Sequence, residues 1–176
     1  MPSEVVRCDV PVASLIYPQV ANASFIDARR AALADSDQPA MAYFLELMAG
    51  MPGWIDNLMV LRNRVVQAFG LKDLGRLTRI DHQREPASYN AGERVGIFTL
   101  IRNTPEEVLL VDRDKHLDVY ISLLCQPATA DTPRNVVVST VVHPHNLLGR
   151  LYMLPVAPFH RLIAPIALRR LVRIHH

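Results

Sequence analysis

The stretch HLDVYISLLC, residues 116–125, alternates polar and aliphatic side chains. Successive side chains of a β-strand point to opposite faces of the sheet, so this pattern predicts a strand with one aliphatic face and one polar face. The aliphatic face holds Leu117, Val119, Ile121 and Leu123. The polar face holds His116, Asp118, Tyr120 and Ser122. Burial of the aliphatic face is the favourable choice, because an unpaired buried carboxylate is costly. We therefore expect the aliphatic face to contact the core.

Further segments rich in β-branched residues surround this strand. They are short, bounded by turn residues, and lie at Ala23–Ala32, Val95–Arg102, Glu107–Asp112 and Asn135–His143. The turn sequence DRDK, residues 112–115, connects the third of them to the strand at residues 116–125, which predicts an antiparallel hairpin. The sequence therefore predicts an antiparallel sheet of five to seven strands.

Helical periodicity flanks the sheet on both sides. Apolar residues recur at helical spacing from Pro39 to Gly50 and again from Pro52 to Gly70, which predicts two helices. Near the end, Phe159, Leu162, Ile163 and Ile166 keep the same spacing, so we expect a helix over at least residues 159–168. Pro155 and Pro158 are expected to start or kink this helix, and Pro165 to bend it.

The predicted order is an irregular arm over residues 1–20, then one α+β domain over residues 21–176. In that domain the expected order is a strand, two helices, a meander of antiparallel strands and a long C-terminal helix. The charged segment Leu71–Arg94 is expected to form a long loop with a short strand near Leu77–Ile80.

Composition excludes several functional classes. The 176 residues include 19 basic and 17 acidic residues, a net charge of +2, too balanced to indicate a nucleic-acid partner. Cys8 and Cys125 have no metal or redox spacing. The segment Met1–Val20 carries charges where a secretory signal requires an apolar run, so a cytoplasmic location is expected. The apolar stretch Leu147–Leu168 is interrupted by arginines, a histidine and prolines, so no membrane span is expected.

Three segments carry a family resemblance. They are GERVGIFTLI (92–101), RDKHLDVYISL (113–123) and VVVSTVVHPHNLLGRLYMLPVAPFHRLI (136–163). Over Ala21–Leu171 the chain resembles an uncharacterised family, a domain of unknown function, in the START-like (SRPBCC) superfamily that includes polyketide cyclases. Members of that family occur alone or fused behind an NAD-binding, epimerase-like domain. The resemblance implies a helix-grip fold, in which an antiparallel sheet wraps around a long C-terminal helix and leaves a cavity. It implies no reaction. A G-x-G-x-x-G motif is missing from this chain.

Two groups of residues could carry chemistry. His116 and Asp118 share a strand face, and a histidine oriented by a carboxylate can act as a general base; the alternative is a polar outer face that satisfies a turn. His143 and His145, with His160 later, suggest a zinc site, but Pro144 breaks the strand geometry and hydrogen bonding at the junction with the helix explains them as well. We expect neither a metal nor a cofactor.

The leading hypothesis is a module that binds a small apolar or amphipathic molecule in a cavity between the sheet and the C-terminal helix. One alternative is an enzyme of cyclase, dehydratase or hydrolase type that uses His116 and Asp118, or His160, for proton transfer. Another is an accessory domain for an NAD-binding partner protein, and a homodimer is a further option. The residues expected to line the cavity are Trp54, Phe98, Val119, Ile121, Thr140, Tyr152, Phe159 and Ile163.

Overall fold

The computed structural model describes residues 4–33, 38–55, 84–130 and 132–175. A helical turn begins at residue 53, as the pattern predicts, but the rest of the helix predicted up to Gly70 lies outside the described residues. The short strand predicted near residues 77–80 lies outside them as well.

One antiparallel sheet organises the described part of the chain. Its seven strands lie in the spatial order β1-β2-β7-β6-β5-β4-β3, and every neighbouring pair is antiparallel. The predicted α+β class and antiparallel sheet are therefore confirmed. The strands are β1 Val6–Cys8, β2 Phe25–Ala32, β3 Arg94–Val95, β4 Phe98–Asn103, β5 Glu107–Arg113, β6 Leu117–Gln126 and β7 Asn135–Pro144.

Two strands depart from the predictions. The segment predicted as one strand over 95–102 is divided into β3 and β4 by a two-residue turn. Gly96 takes the first central position of this turn at φ +60°, a conformation that glycine adopts without strain. In addition, the arm is not irregular throughout, because β1 pairs with β2 as an edge strand.

Within the described residues, two helices of ten residues or more pack on one side of the sheet. Helix α1 is Ala40–Ala49, and helix α2 is Leu147–Ile174. The predicted C-terminal helix is thus confirmed, but prolines do not start it. It begins where the Asn146 side chain accepts a hydrogen bond from the Gly149 backbone N–H, a typical N-cap, and Pro155, Pro158 and Pro165 lie inside it.

The two faces of the sheet are covered differently. The aliphatic face of β6 contributes Leu123 and Cys125 to the main core, which α1 and the last turns of α2 complete. The opposite face is not wet, as a polar face would suggest. Tyr120 and Ser122 are buried there under the arm, whose Val10 and Ile16 pack against the sheet. The direction predicted for each face of β6 is therefore right, and the arm explains why Tyr120 and Ser122 are buried as well.

A buried carboxylate fastens the arm to the sheet. Glu107 of β5 is only 4% exposed and accepts hydrogen bonds from the Ser14 hydroxyl, the Leu15 backbone N–H and the Ser122 hydroxyl. Because every donor comes from the arm or from β6, this carboxylate acts as a structural link between them.

Candidate functional site

The helix-facing surface of the sheet has an incompletely covered patch at its centre. Strands β6 and β7 are flanked by strands on both sides, yet Val119, Ile121 and Val138 are only partly buried. We call these three residues the aliphatic strip. The central strands of a domain of this size are normally covered by tightly packed side chains. The aliphatic strip therefore marks a place where the helices and the sheet are not in full contact.

A charged cluster borders the strip. Alternation along β2 places Phe25, Asp27 and Arg29 on the helix-facing side, and the register sets Asp27 beside Thr140, which in turn lies beside Ile121. Because Asp27 and Thr140 are 2% and 4% exposed, both are interior polar groups. Buried polar side chains therefore border the aliphatic strip.

The Asp27 carboxylate is held from two elements. Its Oδ2 atom accepts a hydrogen bond of 3.1 Å from the Arg29 Nε–H, and the His160 Nδ1 atom of α2 lies 3.5 Å away from the same oxygen. The His160 ring also packs edge-on against Phe25, with ring centroids 5.4 Å apart. We call Asp27, Arg29 and His160 the Asp27 cluster.

The electrostatics of the cluster favour an ionised carboxylate. Burial, the largest single influence, raises the pKa of Asp27, but the neighbouring His160 ring and Arg29 guanidinium more than offset it. The pKa of Asp27 therefore lies below its ordinary value, and the group is negative at neutral pH.

Two atoms of the cluster lack a hydrogen-bond partner. Among the residues that the structure describes, Asp27 Oδ1 and His160 Nδ1 are buried and unsatisfied. At 3.5 Å, the contact between His160 Nδ1 and Asp27 Oδ2 is longer than an ordinary hydrogen bond. A buried carboxylate oxygen without a hydrogen-bond donor lowers stability by ~1–3 kcal/mol. A bound hydroxyl or amino group that donates a hydrogen bond to this oxygen would remove that penalty.

The sequence profile of a protein family of unknown function, DUF2867, matches residues 19–167. The chain belongs to the DUF2867 family. Comparison with curated proteins finds no match, and comparison with solved structures finds none. Family membership thus names no reaction, and the chemistry has to be argued from the residues.

Within this DUF2867 domain the predicted lining residues divide into three groups. Phe98, Val119, Ile121 and Thr140 lie on the helix-facing side of the sheet. Tyr152 of α2 and Val119 both pack against the buried cluster of Phe25, Leu117 and Val142, and Ile163 is half-buried on the same helix. Trp54 and Phe159, by contrast, are 42% and 50% exposed.

The two residues of the predicted pair, His116 and Asp118, contact different side chains. The His116 Nδ1 atom lies 2.9 Å from the side-chain nitrogen of Asn146, the N-cap residue of α2. Asp118 instead contacts His145, with Oδ1 and Nε2 3.1 Å apart. The pair therefore belongs to the junction between β6, β7 and α2, and Asp118 and Tyr120 lie on the side away from the helices.

The three histidines considered for zinc also have separate neighbours. The His143 ring contacts the Gln19 carbonyl oxygen at 2.8 Å, His145 contacts Asp118, and His160 lies at Asp27. In the described ranges no three histidine, cysteine or acidic side chains come together as metal ligands would.

An open depression of about 370 Å³ lies elsewhere, at one end of β7. None of the predicted lining residues takes part in it. It is lined by Leu33, Ala128, Thr129, Ala130, Thr132, Pro133 and Arg134.

Helix α2 is long and apolar enough to cross a membrane, with a mean hydropathy of 1.4 over 18 residues. Core helices of soluble proteins have the same property, so it is weak evidence. The expected lack of a membrane span stays a prediction.

Sequence reasoning missed Asp27 and Arg29. The available signal was a pair of opposite charges, Asp27 and Arg29, at alternate positions of the strand FIDARRAA, with Phe25 on the same face. Charges on the core-facing side of a central strand require partners, and this requirement points towards a polar site.

Proposed function

We propose that this DUF2867 protein is a binding module that holds a small apolar or amphipathic molecule between the sheet and helix α2. The observation that carries the proposal is the partial exposure of the aliphatic strip at the centre of the sheet, beside a buried polar cluster. Ligand sites are typically apolar surfaces with a few well-placed polar groups. Val119, Ile121 and Val138 would supply the apolar contact.

The polar contact would come from Asp27. Its Oδ1 atom is buried and has no donor among the described residues, whereas Oδ2 is already paired with Arg29. An ionised carboxylate accepts hydrogen bonds and repels anions. The proposed ligand therefore carries a hydroxyl or amino group at one end and an apolar body at the other.

Native mass spectrometry of freshly purified protein tests the proposal directly. We expect a bound mass that disappears after extraction with organic solvent and returns when the extract is added back. Ile121→Trp should fill the space above the aliphatic strip and abolish retention. Val12→Trp is the matched control, because Val12 is 75% exposed on the arm. Absence of any bound mass, together with no uptake of dodecanol or dodecylamine by the extracted protein, would refute the binding module.

The polar cluster also supports a second candidate, an enzyme that uses a His–Asp pair. His160 Nδ1 lies 3.5 Å from Asp27 Oδ2 at the edge of the aliphatic strip. In this role His160 would transfer the proton and Asp27 would orient the ring and stabilise its cationic form. His160→Gln should then abolish turnover of a bound ligand while retention stays within about threefold. Equal loss of both would favour simple binding.

We further propose that the DUF2867 family is START-like. The support is the antiparallel sheet that packs on a long C-terminal helix, with short helices between its first and later strands. Fold likeness alone identifies no reaction. The third proposed role is that of an accessory domain for a separate NAD-binding protein, and a stable complex with such a partner in pull-down from cell extract would support it.

A further inference from the structure

Helix α2 has an apolar face that no other described element covers. Five large side chains along it are exposed to half or more of their area. At 3.6 residues per turn they fall, together with Pro155 and Pro158, on one side of the helix over about 22 Å. We call this set the outer face of α2: Leu147 (70% exposed), Leu151 (52%), Leu154 (70%), Phe159 (50%) and Leu162 (55%).

The opposite side of α2 is fixed to the sheet. Gly149, Ala167, Leu168 and Leu171 are buried, and His160 sits over Asp27 in the middle of the helix. Rotation of the helix would expose these contacts, so the outer face cannot turn inward. Soluble monomers rarely leave a contiguous apolar surface of this kind uncovered, and such surfaces mark interaction sites.

The charges around the outer face indicate what it contacts. From Leu147 to the end of the chain there are five arginines and no aspartate or glutamate. Arg150 is exposed beside the face, and Arg169 and Arg173 are exposed about two and three turns beyond its last leucine. A partner that covers this surface must therefore present negative charge next to an apolar region.

A second copy of the chain does not fit this requirement. Two outer faces packed against each other would bring arginines from both helices together, with no carboxylate on either helix to pair with them. Like charges brought together at an interface are unfavourable.

We propose that the outer face of α2 docks onto the surface of an anionic lipid bilayer, with the helix parallel to the membrane plane. Leucine and phenylalanine side chains enter the boundary between headgroups and acyl chains, as in interfacial helices. Arg169 and Arg173 contact lipid phosphates at the C-terminal end. The helix lies on the membrane and does not span it, because its inner side remains attached to the sheet. This inference does not depend on the ligand-binding proposal.

Vesicle flotation tests the inference with the full chain. We expect co-flotation with vesicles of equal parts phosphatidylcholine and phosphatidylserine, and at least tenfold weaker partitioning onto pure phosphatidylcholine. Leu151→Gln combined with Leu154→Gln should reduce partitioning at least tenfold, since the apolar contact is lost. Val12→Gln, at an exposed apolar site on the arm, is the control and should leave partitioning unchanged.

The basic contribution is tested separately. Arg169→Gln combined with Arg173→Gln removes two charges worth ~1 kcal/mol each near an anionic surface, which corresponds to about 30-fold weaker partitioning. Circular dichroism should show all variants folded, since every substituted side chain is exposed. Three outcomes would overturn the inference: no flotation of the wild-type chain, equal flotation of the leucine variant, or a dimer or protein complex that the leucine variant abolishes while vesicles are not bound.

Discussion

The Arg29 guanidinium donates a hydrogen bond of 3.1 Å to the backbone carbonyl oxygen of Arg161. In a regular helix this carbonyl would accept from the N–H of residue 165, but Pro165 has none. A strand side chain thus replaces the missing helical hydrogen bond, and the same side chain holds Asp27. The proline therefore helps to couple helix α2 to the sheet.

This coupling predicts a thermodynamic interaction between Arg29 and Pro165. Arg29→Gln should lower the free energy of unfolding by ~1–2 kcal/mol, because a charged hydrogen-bond donor is lost. In a Pro165→Ala background, residue 165 can donate to Arg161 itself, so Arg29→Gln should cost less by at least ~0.5 kcal/mol. Urea denaturation of the four proteins measures the difference. Additive effects of the two substitutions would show that the two sites are independent.

Asp27 should make stability depend on pH at the acid end. Its folded pKa is lowered, so its contribution is fully present above the unfolded value of ~4 and is lost as the pH falls through the folded pKa. Asp27→Asn should therefore be less stable than wild type by ~1–3 kcal/mol at neutral pH. Thermal unfolding between about pH 2 and pH 7 should show the two proteins converging below pH 4.

Asp9→Asn provides the matched control. Asp9 is exposed, so the substitution should leave the pH dependence of the melting temperature unchanged. A constant difference between wild type and Asp27→Asn down to the lowest pH would contradict the assignment of the acid-sensitive group to Asp27.

The sequence predicted the strands and the presence of helix α2 better than it predicted the site, and the reason is physical. Alternation in 117–125 is local, because each residue's face follows from its neighbours. The contact between Asp27 and His160 depends on strand register and on where α2 crosses the sheet, and neither is encoded locally. The prolines were hard to interpret from the sequence for a related reason. A proline removes one backbone hydrogen bond from a helix, but a tertiary contact such as that of Arg29 can replace it.

The buried Cys125 thiol should be unreactive in the folded protein. Burial raises the pKa of Cys125 to about 11, and burial also raises that of Cys8. At about pH 8, only ~0.1% of Cys125 would then be thiolate, the reactive form. In a Cys8→Ser variant, labelling by a chromogenic disulfide should be at least 100-fold slower before unfolding than in urea. Rapid labelling of Cys125 in the native state would show that the core around it opens readily.

Gly149 should be the least tolerant of the glycines in the helices. A Cβ atom at this position would lie only 2.1 Å from the His116 carbonyl oxygen, which accepts a hydrogen bond from the His145 backbone N–H. Backbone atoms cannot move aside without breaking the junction between β6 and α2. We expect Gly149→Ala to lower the free energy of unfolding by ~2–3 kcal/mol.

Gly53→Ala is the control, since a Cβ atom there meets nothing within 4 Å. This substitution should be neutral or stabilise the protein by up to ~1 kcal/mol through reduced chain entropy. Equal effects of the two substitutions in urea denaturation would show that the close approach of α2 to β6 is absent in solution.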